Sequence, residues 1–355
     1  MRLSARLTWL LTACLSSHLA LASDTPPPAA PPPVKAEQKE LVPDAVTAQA
    51  VVTHGWKPRV SLGASISFSD NRKVVGAQDG STWNIGPQID LGIDYYGVEH
   101  EWRNSLAIRH VQTKTPALSE FVKTVDSVVF DSIYLYHSPA LPWIGPFAQF
   151  SLMTQLLAGE DVRAQDTNYK VAFQDGTIRD SVARRLKLTD AFAPLILRES
   201  VGAFIAPVTK PEIKVEFRVG VGAREAFVQE GFALTDDAAT TDVVEVSQLE
   251  NFVQIGGEIF GGISGTIVWE NLGADRPLTY SLTAETLMPF YSSEGDEKDF
   301  ADKITFALDG KLGVKLFSWM SLDYNLKIIR EPLLLDEFQI QNNLLLNFSY
   351  TYAPQ

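Results

Sequence analysis

Apolar and polar residues alternate along most of this chain, and the alternation predicts β-strands. The longest example runs from Asn251 to Asn271 without a change of phase. Its apolar odd positions are Val253, Ile255, Ile259, Ile263, Ile267 and Trp269. A period of two is typical of a strand with two unlike faces. Strands of soluble sandwiches are usually about half this length, so the pattern favours an all-β fold, an up-and-down antiparallel barrel that crosses a membrane.

The links between the alternating stretches predict the number of strands. Bacterial outer-membrane barrels have an even number, with short turns at the periplasmic end and longer loops at the outer end. Counting the Asn251 stretch as one strand predicts twelve, whereas breaking it at Gly261 gives thirteen and leaves the C-terminus outside. Short turns are predicted near 95–98, 138–142, 207–211, 272–277 and 318–319. Outer loops are predicted near 70–81, 113–120, 158–190, 229–244, 289–302 and 331–337.

Tryptophan and tyrosine residues collect at the predicted periplasmic end of these strands. Both residue types prefer the interface between membrane and water. A soluble β-protein has no reason to gather them at one end, so their position supports the barrel independently of the alternation. The residues are Trp56, Tyr95, Trp102, Tyr136, Trp143, Trp269, Tyr280, Trp319, Tyr350 and Tyr352.

Residues 1–22 are predicted to be a secretory signal peptide. Arg2 and Arg6 form a basic start, Leu7–Leu15 is an apolar run too short to span a bilayer, and Ala20-Leu21-Ala22 is an A-x-A cleavage site. The alternative is a lipobox that ends at Cys14, with that cysteine lipidated. Cys14 is the only cysteine of the chain, so no disulfide or cysteine metal site is expected in the mature protein.

Residues 23–54 are predicted to form a disordered periplasmic arm ahead of the barrel of residues 55–355. The arm holds two triplets of proline, Pro26–Pro28 and Pro31–Pro33. Proline favours extended backbone and removes hydrogen-bond donors. The arm is either an inert spacer or a ligand for a periplasmic or cell-wall partner.

The composition excludes several classes of protein. The formal charge is −13, which argues against nucleic acid as a partner because phosphate binding needs a basic face. No run of 18 apolar residues occurs, so membrane-spanning helices are not expected. A mean hydropathy near zero is expected of a barrel, which carries its lipid-facing residues at alternate positions.

The predicted inner face carries charges of both signs. One interpretation is a pore that selects solutes by charge and size. The other is a filled lumen in which opposite charges pair, since buried charges must be paired. The predicted lumen-lining residues are Asp90, Asp94, Glu101, Arg103, Arg109, Lys214, Glu216, Arg218, Arg224, Glu258, Glu285, Asp309, Lys311, Lys315, Asp323 and Lys327.

One predicted strand departs from the pattern, because Arg198 and Glu199 are neighbours in its middle. Strict alternation directs one of the two charges to lipid. A β-bulge that turns both inward and a lower position of the strand are the two alternatives.

The predicted outer loops are acidic, and oxygen ligands of this kind suit Ca²⁺ or Mg²⁺. Their spacing matches no calcium-binding loop, so the charges are interpreted as solvated surface, and no metal or cofactor is predicted. The residues are Glu294, Asp296, Glu297, Asp299 and Asp302 in one loop, and Asp236, Asp237, Asp242 and Glu245 in another.

The hypothesis that the protein is an enzyme rests on three residues. Ser81, His110 and Asp126 are predicted at similar height on the outer wall, and a lipid hydrolase needs such a trio within hydrogen-bond reach. This is the third hypothesis. A passive, porin-like channel for small solutes comes first, and a structural or anchoring protein with a filled lumen comes second, so no enzyme is predicted.

The chain resembles bacterial outer-membrane β-barrels over about residues 56–352. The segment Leu344–Tyr352, followed by Ala353-Pro354-Gln355, is similar to the C-terminal signal that the barrel-assembly machinery reads. Trp102-Arg103-Asn104 and Glu199–Gly202 are similar to uncharacterised barrel families. The resemblance implies the outer membrane of a Gram-negative bacterium, contact with its lipid, and a periplasmic arm. It implies no catalytic or binding residue.

Overall fold

The computed structural model describes most of the predicted barrel. The predicted signal peptide and all of the proline-rich arm except His54 lie outside the described residues. The described ranges are 54–71, 80–118, 120–235, 240, 242–268, 277–293, 299–317, 319–332 and 335–352.

Nearly all of these residues lie in β-strands, as the period of two predicts. Among the described residues no helix is long and apolar enough to cross a bilayer. The strands are β1 (Gly55–Asn71), β2 (Gly80–Tyr96), β3 (His100–Lys114), β4 (Val122–Tyr136), β5 (Ile144–Thr154), β6 (Gly159–Ala172), β7 (Ile178–Thr189), β8 (Leu195–Lys210), β9 (Ile213–Phe227), β10 (Phe232–Leu234), β11 (Val244–Gln248), β12 (Phe252–Ile267), β13 (Leu278–Ser292), β14 (Thr305–Phe317), β15 (Met320–Glu331) and β16 (Leu335–Tyr352).

Twelve of the strands close into an antiparallel barrel, in the order β1-β16-β15-β14-β13-β12-β9-β8-β5-β4-β3-β2. The first and last strands pair from Val60 opposite Tyr352 to Ser65 opposite Asn347. This pairing leaves the barrel without an open edge. The predicted number of strands and their antiparallel arrangement are confirmed.

The two ends of the barrel differ in the length of their links. At the end that carries Gly55 and Tyr352, the links described in full are short: residues 97–99, 137–143 and 211–212. We call this the turn end. The opposite end, which we call the loop end, carries the hairpin of β6 and β7 between β5 and β8. This asymmetry is the one that the sequence predicts for periplasmic and outer ends.

The outer wall of the barrel is apolar. Side chains predicted to face lipid are exposed on it, among them Leu91, Val219, Ile267, Leu282 and Leu312. Ile108 and Leu346 lie on the same face by register, opposite Ile89 and Leu322. A closed barrel with an apolar outer wall and a charged inner wall is the architecture of outer-membrane barrels, which confirms the resemblance at the level of the fold.

Exposed aromatic rings mark the turn end. Trp56 packs beside Tyr95 and Trp102, with ring centroids 5.2 and 6.0 Å away. Trp143 and Trp319 are also exposed at this end. The predicted aromatic band is therefore present among the residues whose side chains are described; Trp269 and the side chains of Tyr350 and Tyr352 lie outside them.

Glu199 faces outward, and Arg198 faces the lumen. The pairings of β8 with β5 and β9 run without a register shift from Leu195 to Ile205. No β-bulge therefore turns both charges inward. Glu199 is the fifth of the sixteen residues of β8, counted from the loop end, so its carboxylate lies in the half of the wall next to the loop end.

Two of the predicted outer loops are not irregular. Within 158–190 and 229–248 the chain forms a four-stranded sheet of order β10-β11-β6-β7, in which β11 runs parallel to β6. We call it the outer sheet. Its buried face is apolar and consists of Tyr169, Val171, Leu188, Val244 and Val246.

A buried carboxylate, Asp161, binds two side chains further along its own strand, β6. It accepts a hydrogen bond from the Tyr169 hydroxyl at 2.9 Å and one from Nε of Arg163 at 2.7 Å. Burial, followed by the bond to Asp161, raises the pKa of Tyr169 to about 12. The folded sheet therefore holds this phenol in its neutral form at pH values where a free tyrosine ionises.

Replacing Asp161 by Ala is expected to loosen the outer sheet and leave the barrel intact. Tyr169 and Arg163 lose their buried acceptor, which should cost about 2 kcal/mol. The rate of limited proteolysis within β6–β7 should rise, whereas the heat-dependent gel mobility of the barrel should not change. The control is Asp166→Ala, an exposed carboxylate of the same hairpin. Equal cleavage rates in the two variants would contradict the structural role of Asp161.

Candidate functional site

The structure places the predicted lumen charges on the inner face. Cross-strand partners share a face: Asp90 is opposite Ser61, and Asp309 is opposite Lys327. The exposed apolar side chains of the same strands alternate with these positions. The inward set comprises Asp90, Asp94, Glu101, Arg103, Arg109, Lys214, Glu216, Arg218, Arg224, Glu258, Glu285, Asp309, Lys311, Lys315, Asp323 and Lys327.

A buried ion cluster fills the lumen beside β8, β12 and β13. Nη2 of Arg198 lies 3.5 Å from Oε2 of Glu258 and also contacts Glu285. The three side chains are only 12, 10 and 4% exposed. In the sequence Arg198 is only an irregularity of its strand, because strand phase alone does not show which distant carboxylates lie inside the barrel beside it.

A second cluster lies at the turn end. Nη2 of Arg103 in β3 is 3.1 Å from Oε2 of Glu216 in β9. Three strands, β4, β5 and β8, separate β3 from β9 around the wall, so this ion pair crosses the lumen rather than following the wall. The two side chains are 7 and 9% exposed.

Each member of this crossing pair has further partners on its own strand. Nε of Arg103 lies 3.2 Å from Oε1 of Glu101. Glu216 lies 3.6 Å from Nζ of Lys214 and 3.5 Å from Nε of Arg218. We call these five residues the turn-end cluster. Neighbours two positions apart on one strand share a face, which is why the sequence places all of them inward.

Arg218 also packs against the wall on both sides of its own strand. Its Nη1 donates to Oε1 of Gln149 at 2.6 Å, and its guanidinium carbon lies 3.7 Å from the centroid of the Phe260 ring. A guanidinium over an aromatic face gains cation–π attraction. These contacts hold Arg218 against β5 and β12 independently of the ion pair with Glu216.

His137 connects the turn-end cluster to the turn of residues 137–143. Its Nε2 lies 2.9 Å from Oε2 of Glu101, and its Nδ1 lies 2.7 Å from the carbonyl oxygen of Pro142. The hydrogen bond with Glu101 is the largest cause of a raised His137 pKa. Both ring nitrogens face acceptors, so the site favours the doubly protonated imidazolium.

The lumen beside β1–β3 is packed less tightly. Nη2 of Arg109 lies 2.5 Å from Oδ1 of Asp90, and Arg59 lies 3.8 Å from Asp94. The side chains of Asp90 and Arg109 are 28 and 19% exposed. Lys311, Asp323 and Asn325, on the nearby strands β14 and β15, are half-buried. Water therefore reaches Asp90 and Arg109 on this side of the lumen, whereas Asp309 and Lys327 of β14 and β15 are buried.

The predicted serine–histidine–aspartate trio is not assembled. Nδ1 of His110 lies 3.7 Å from Oδ1 of Asp126, but Asp126 also pairs with Lys123 at 3.0 Å. The register of β2 against β3, with Gln88 opposite Arg109, puts Pro87 beside His110. Ser81 lies six residues further along β2, roughly 20 Å away at the rise of a strand. The serine hydrolase hypothesis is therefore wrong in its geometry.

Within the described part of the chain, no group of three or more histidine, cysteine, aspartate or glutamate side chains is placed to hold a metal ion. Asp299, Asp302, Asp242 and Glu245 of the acidic loops belong to that part. The remaining acidic loop residues lie outside the described ranges.

Comparisons with known proteins return likeness of architecture only. No family model matches the chain, and no curated protein sequence matches it. Among solved structures, the β domain of the Bordetella autotransporter Brka has 10% identity and a TM-score of 0.33, covering 84% of this chain and 98% of that one. An outer membrane channel from Pseudomonas putida F1 has 12% identity and a TM-score of 0.36, covering 88 and 100%. A BenF-like porin from Pseudomonas fluorescens Pf-5 has 8% identity and a TM-score of 0.25, covering 84 and 99%. Likeness at this level assigns no role to any residue of this chain.

Proposed function

We propose that this protein is an outer-membrane channel that passes small solutes along one side of its lumen. The turn end faces the periplasm, the outer sheet faces the exterior, and the apolar wall contacts lipid. The barrel-assembly machinery inserts the chain by its last strand, and the proline-rich arm contacts a periplasmic or cell-wall partner. The closed barrel and the two unlike walls support this arrangement.

The observation that carries the channel proposal is the unequal packing of the lumen. Arg198 and Glu285, on β8 and β13, are paired and nearly inaccessible, although Lys214 of β9, at the turn end, stays 31% exposed. Asp90 and Arg109, on β2 and β3, keep 28 and 19% of their side chains exposed. The passage therefore runs off the barrel axis, beside Asp90 and Arg109 of β2 and β3, and is narrow because the cluster around Arg198 occupies the other side.

Charge in a narrow passage sets ion preference. Fixed charges with low-dielectric surroundings raise the local concentration of counter-ions. Asp90→Asn leaves Arg109 as the unbalanced charge, so cation preference should fall. Arg109→Gln leaves Asp90 unbalanced and should shift the preference the other way. The Debye length is about 3 Å at 1 M salt, so both shifts should shrink there.

Planar-bilayer recording of the purified full-length mature barrel tests the proposal. We expect small single-channel steps, with reversal potentials that move in opposite directions for Asp90→Asn and Arg109→Gln. Asp175→Asn makes the same charge change in the outer hairpin, away from the lumen, and should leave the reversal potential unchanged. Reversal potentials that do not differ between the two lumen variants would contradict the proposed route.

The ion clusters favour one other function. A lumen crossed by Arg103 and Glu216 and filled around Arg198 also suits an anchoring protein whose barrel conducts nothing. In that case the outer sheet or the arm carries the activity. Absence of current at any voltage, in the wild type and in all lumen variants, would establish this second function over the first.

A further inference from the structure

We propose that the Arg103–Glu216 ion pair is a latch that sets the width of the passage at the turn end. This inference rests on the proposed channel function and names the residues that limit it. Opening the pair would join the two sides of the lumen at the level of Arg103 and Glu216.

The side chains of Arg103 and Glu216 meet across the lumen from strands that are not adjacent in the wall. Arg103 lies opposite Ile133 of β4, and Glu216 lies opposite Gly262 of β12. Strands β3 and β9 are therefore not adjacent, and no backbone hydrogen bonds join them. The 3.1 Å contact between the side chains bridges residues that are 113 positions apart in sequence.

Arg103 and Glu216 each keep an oppositely charged neighbour when the ion pair between them breaks. Arg103 retains Glu101 at 3.2 Å on β3. Glu216 retains Lys214 and Arg218 on β9. Breaking a buried ion pair is costly chiefly because it leaves an uncompensated charge, and here neither charge is left uncompensated. The open and closed arrangements therefore differ by less than an isolated buried pair would require, which is the condition for a two-state element.

The pair differs in this respect from the cluster around Arg198. Arg198 contacts Glu258 and Glu285 on β12 and β13, and these three charges hold one side of the wall together. The turn-end cluster instead has two halves, one on β3 and one on β9, joined by the Arg103–Glu216 ion pair and by a longer-range attraction between Glu101 and Lys214. An ion pair whose two members each keep an oppositely charged neighbour on their own strand can break without unfolding the wall.

The test records conductance for Arg103→Ala, Glu216→Ala and the double variant, with Arg103→Lys as the control that keeps the positive charge. We expect a severalfold rise in conductance for each alanine variant. The conductance of the double variant should be close to that of each single variant, because either change alone already removes the ion pair. Arg103→Lys should stay near the wild-type value. Heat-dependent gel mobility identifies variants that fail to fold, and for these Glu216→Gln replaces the alanine.

The outcomes distinguish failure of the latch proposal from failure of the channel proposal. A silent wild type with conducting alanine variants supports the latch and shows that it closes the resting barrel. Wild-type conductance that is unchanged in every turn-end variant, while Asp90→Asn shifts the reversal potential, overturns the latch and leaves the channel standing. No current in any variant overturns both.

Discussion

Val219→Arg is expected to lower the free energy of unfolding in lipid vesicles by about 2–4 kcal/mol if the position is near the midplane. Val219 is 56% exposed on the outer wall, opposite Ala203 and Ile259. An arginine there must bring a charge into hydrocarbon or distort the bilayer around it. Denaturant unfolding in vesicles measures the loss.

The matched control for this change is Val182→Arg in the outer sheet. Val182 is also a strand valine and is 67% exposed, but it lies outside the predicted membrane region. A surface substitution of this kind is usually within about 0.5 kcal/mol of neutral. Equal and small effects at both valines would show that the apolar wall faces water, and the membrane assignment would be wrong.

Arg198→Ala is expected to have the second large effect, a loss of about 3–5 kcal/mol. The change leaves Glu258 and Glu285 buried in the lumen without their shared countercharge. Neutralising all three residues, with Arg198→Met, Glu258→Gln and Glu285→Gln together, should restore part of the stability because neither glutamate then remains charged in the absence of Arg198. Unfolding midpoints of the single and triple variants measure both effects.

An exposed arginine serves as the control for this loss. Arg184 pairs with Glu120 at 3.3 Å, but both side chains are more than two-fifths exposed. Surface pairs contribute about 0–1 kcal/mol, so Arg184→Ala should change stability little. A triple variant less stable than Arg198→Ala would contradict the view that uncompensated charge causes the loss.

The alternation of residues predicts the barrel well, because lipid and lumen impose opposite chemistry on alternate positions of every spanning strand. The long Asn251 stretch is a single strand, β12, from Phe252 to Ile267. The two glycines that suggest a break, Gly261 and Gly262, keep their register with β9 and β13. Strand count, closure and the lipid-facing set follow from this local signal.

The outer sheet could not be predicted in the same way. Strands β10 and β11 have three and five residues, too few for a pattern of period two to stand out. Strand β11 pairs in parallel with β6, which lies more than seventy residues earlier in the chain. Pairings of this kind depend on a shared apolar face, here the one around Tyr169 and Val246, and no local sequence signal specifies them.

For the candidate site too, the sequence predicts which face of the wall a residue occupies but not which residues it contacts. Strand phase places Arg103 and Glu216 inside the barrel. Their contact across the lumen depends on the curvature of the wall and the stagger of the strands. The same missing information explains the hydrolase hypothesis: Ser81 and His110 share the outer face, but the register of β2 against β3 separates them along the strand.

Site-directed spin labelling along β2 tests the central claim most directly, because both walls and the proposed passage meet on this strand. Cys14 is the only native cysteine and precedes the predicted cleavage site, so single cysteines can be introduced cleanly at Gln88, Asp90, Leu91 and Ile93. In vesicles, labels at 91 and 93 should collide with oxygen dissolved in lipid, and labels at 88 and 90 should collide with a water-soluble nickel chelate. Nickel contact at 91 and 93 would contradict a barrel that spans a membrane, and labels at 88 and 90 shielded from both reagents would contradict a water-filled passage along this side of the lumen.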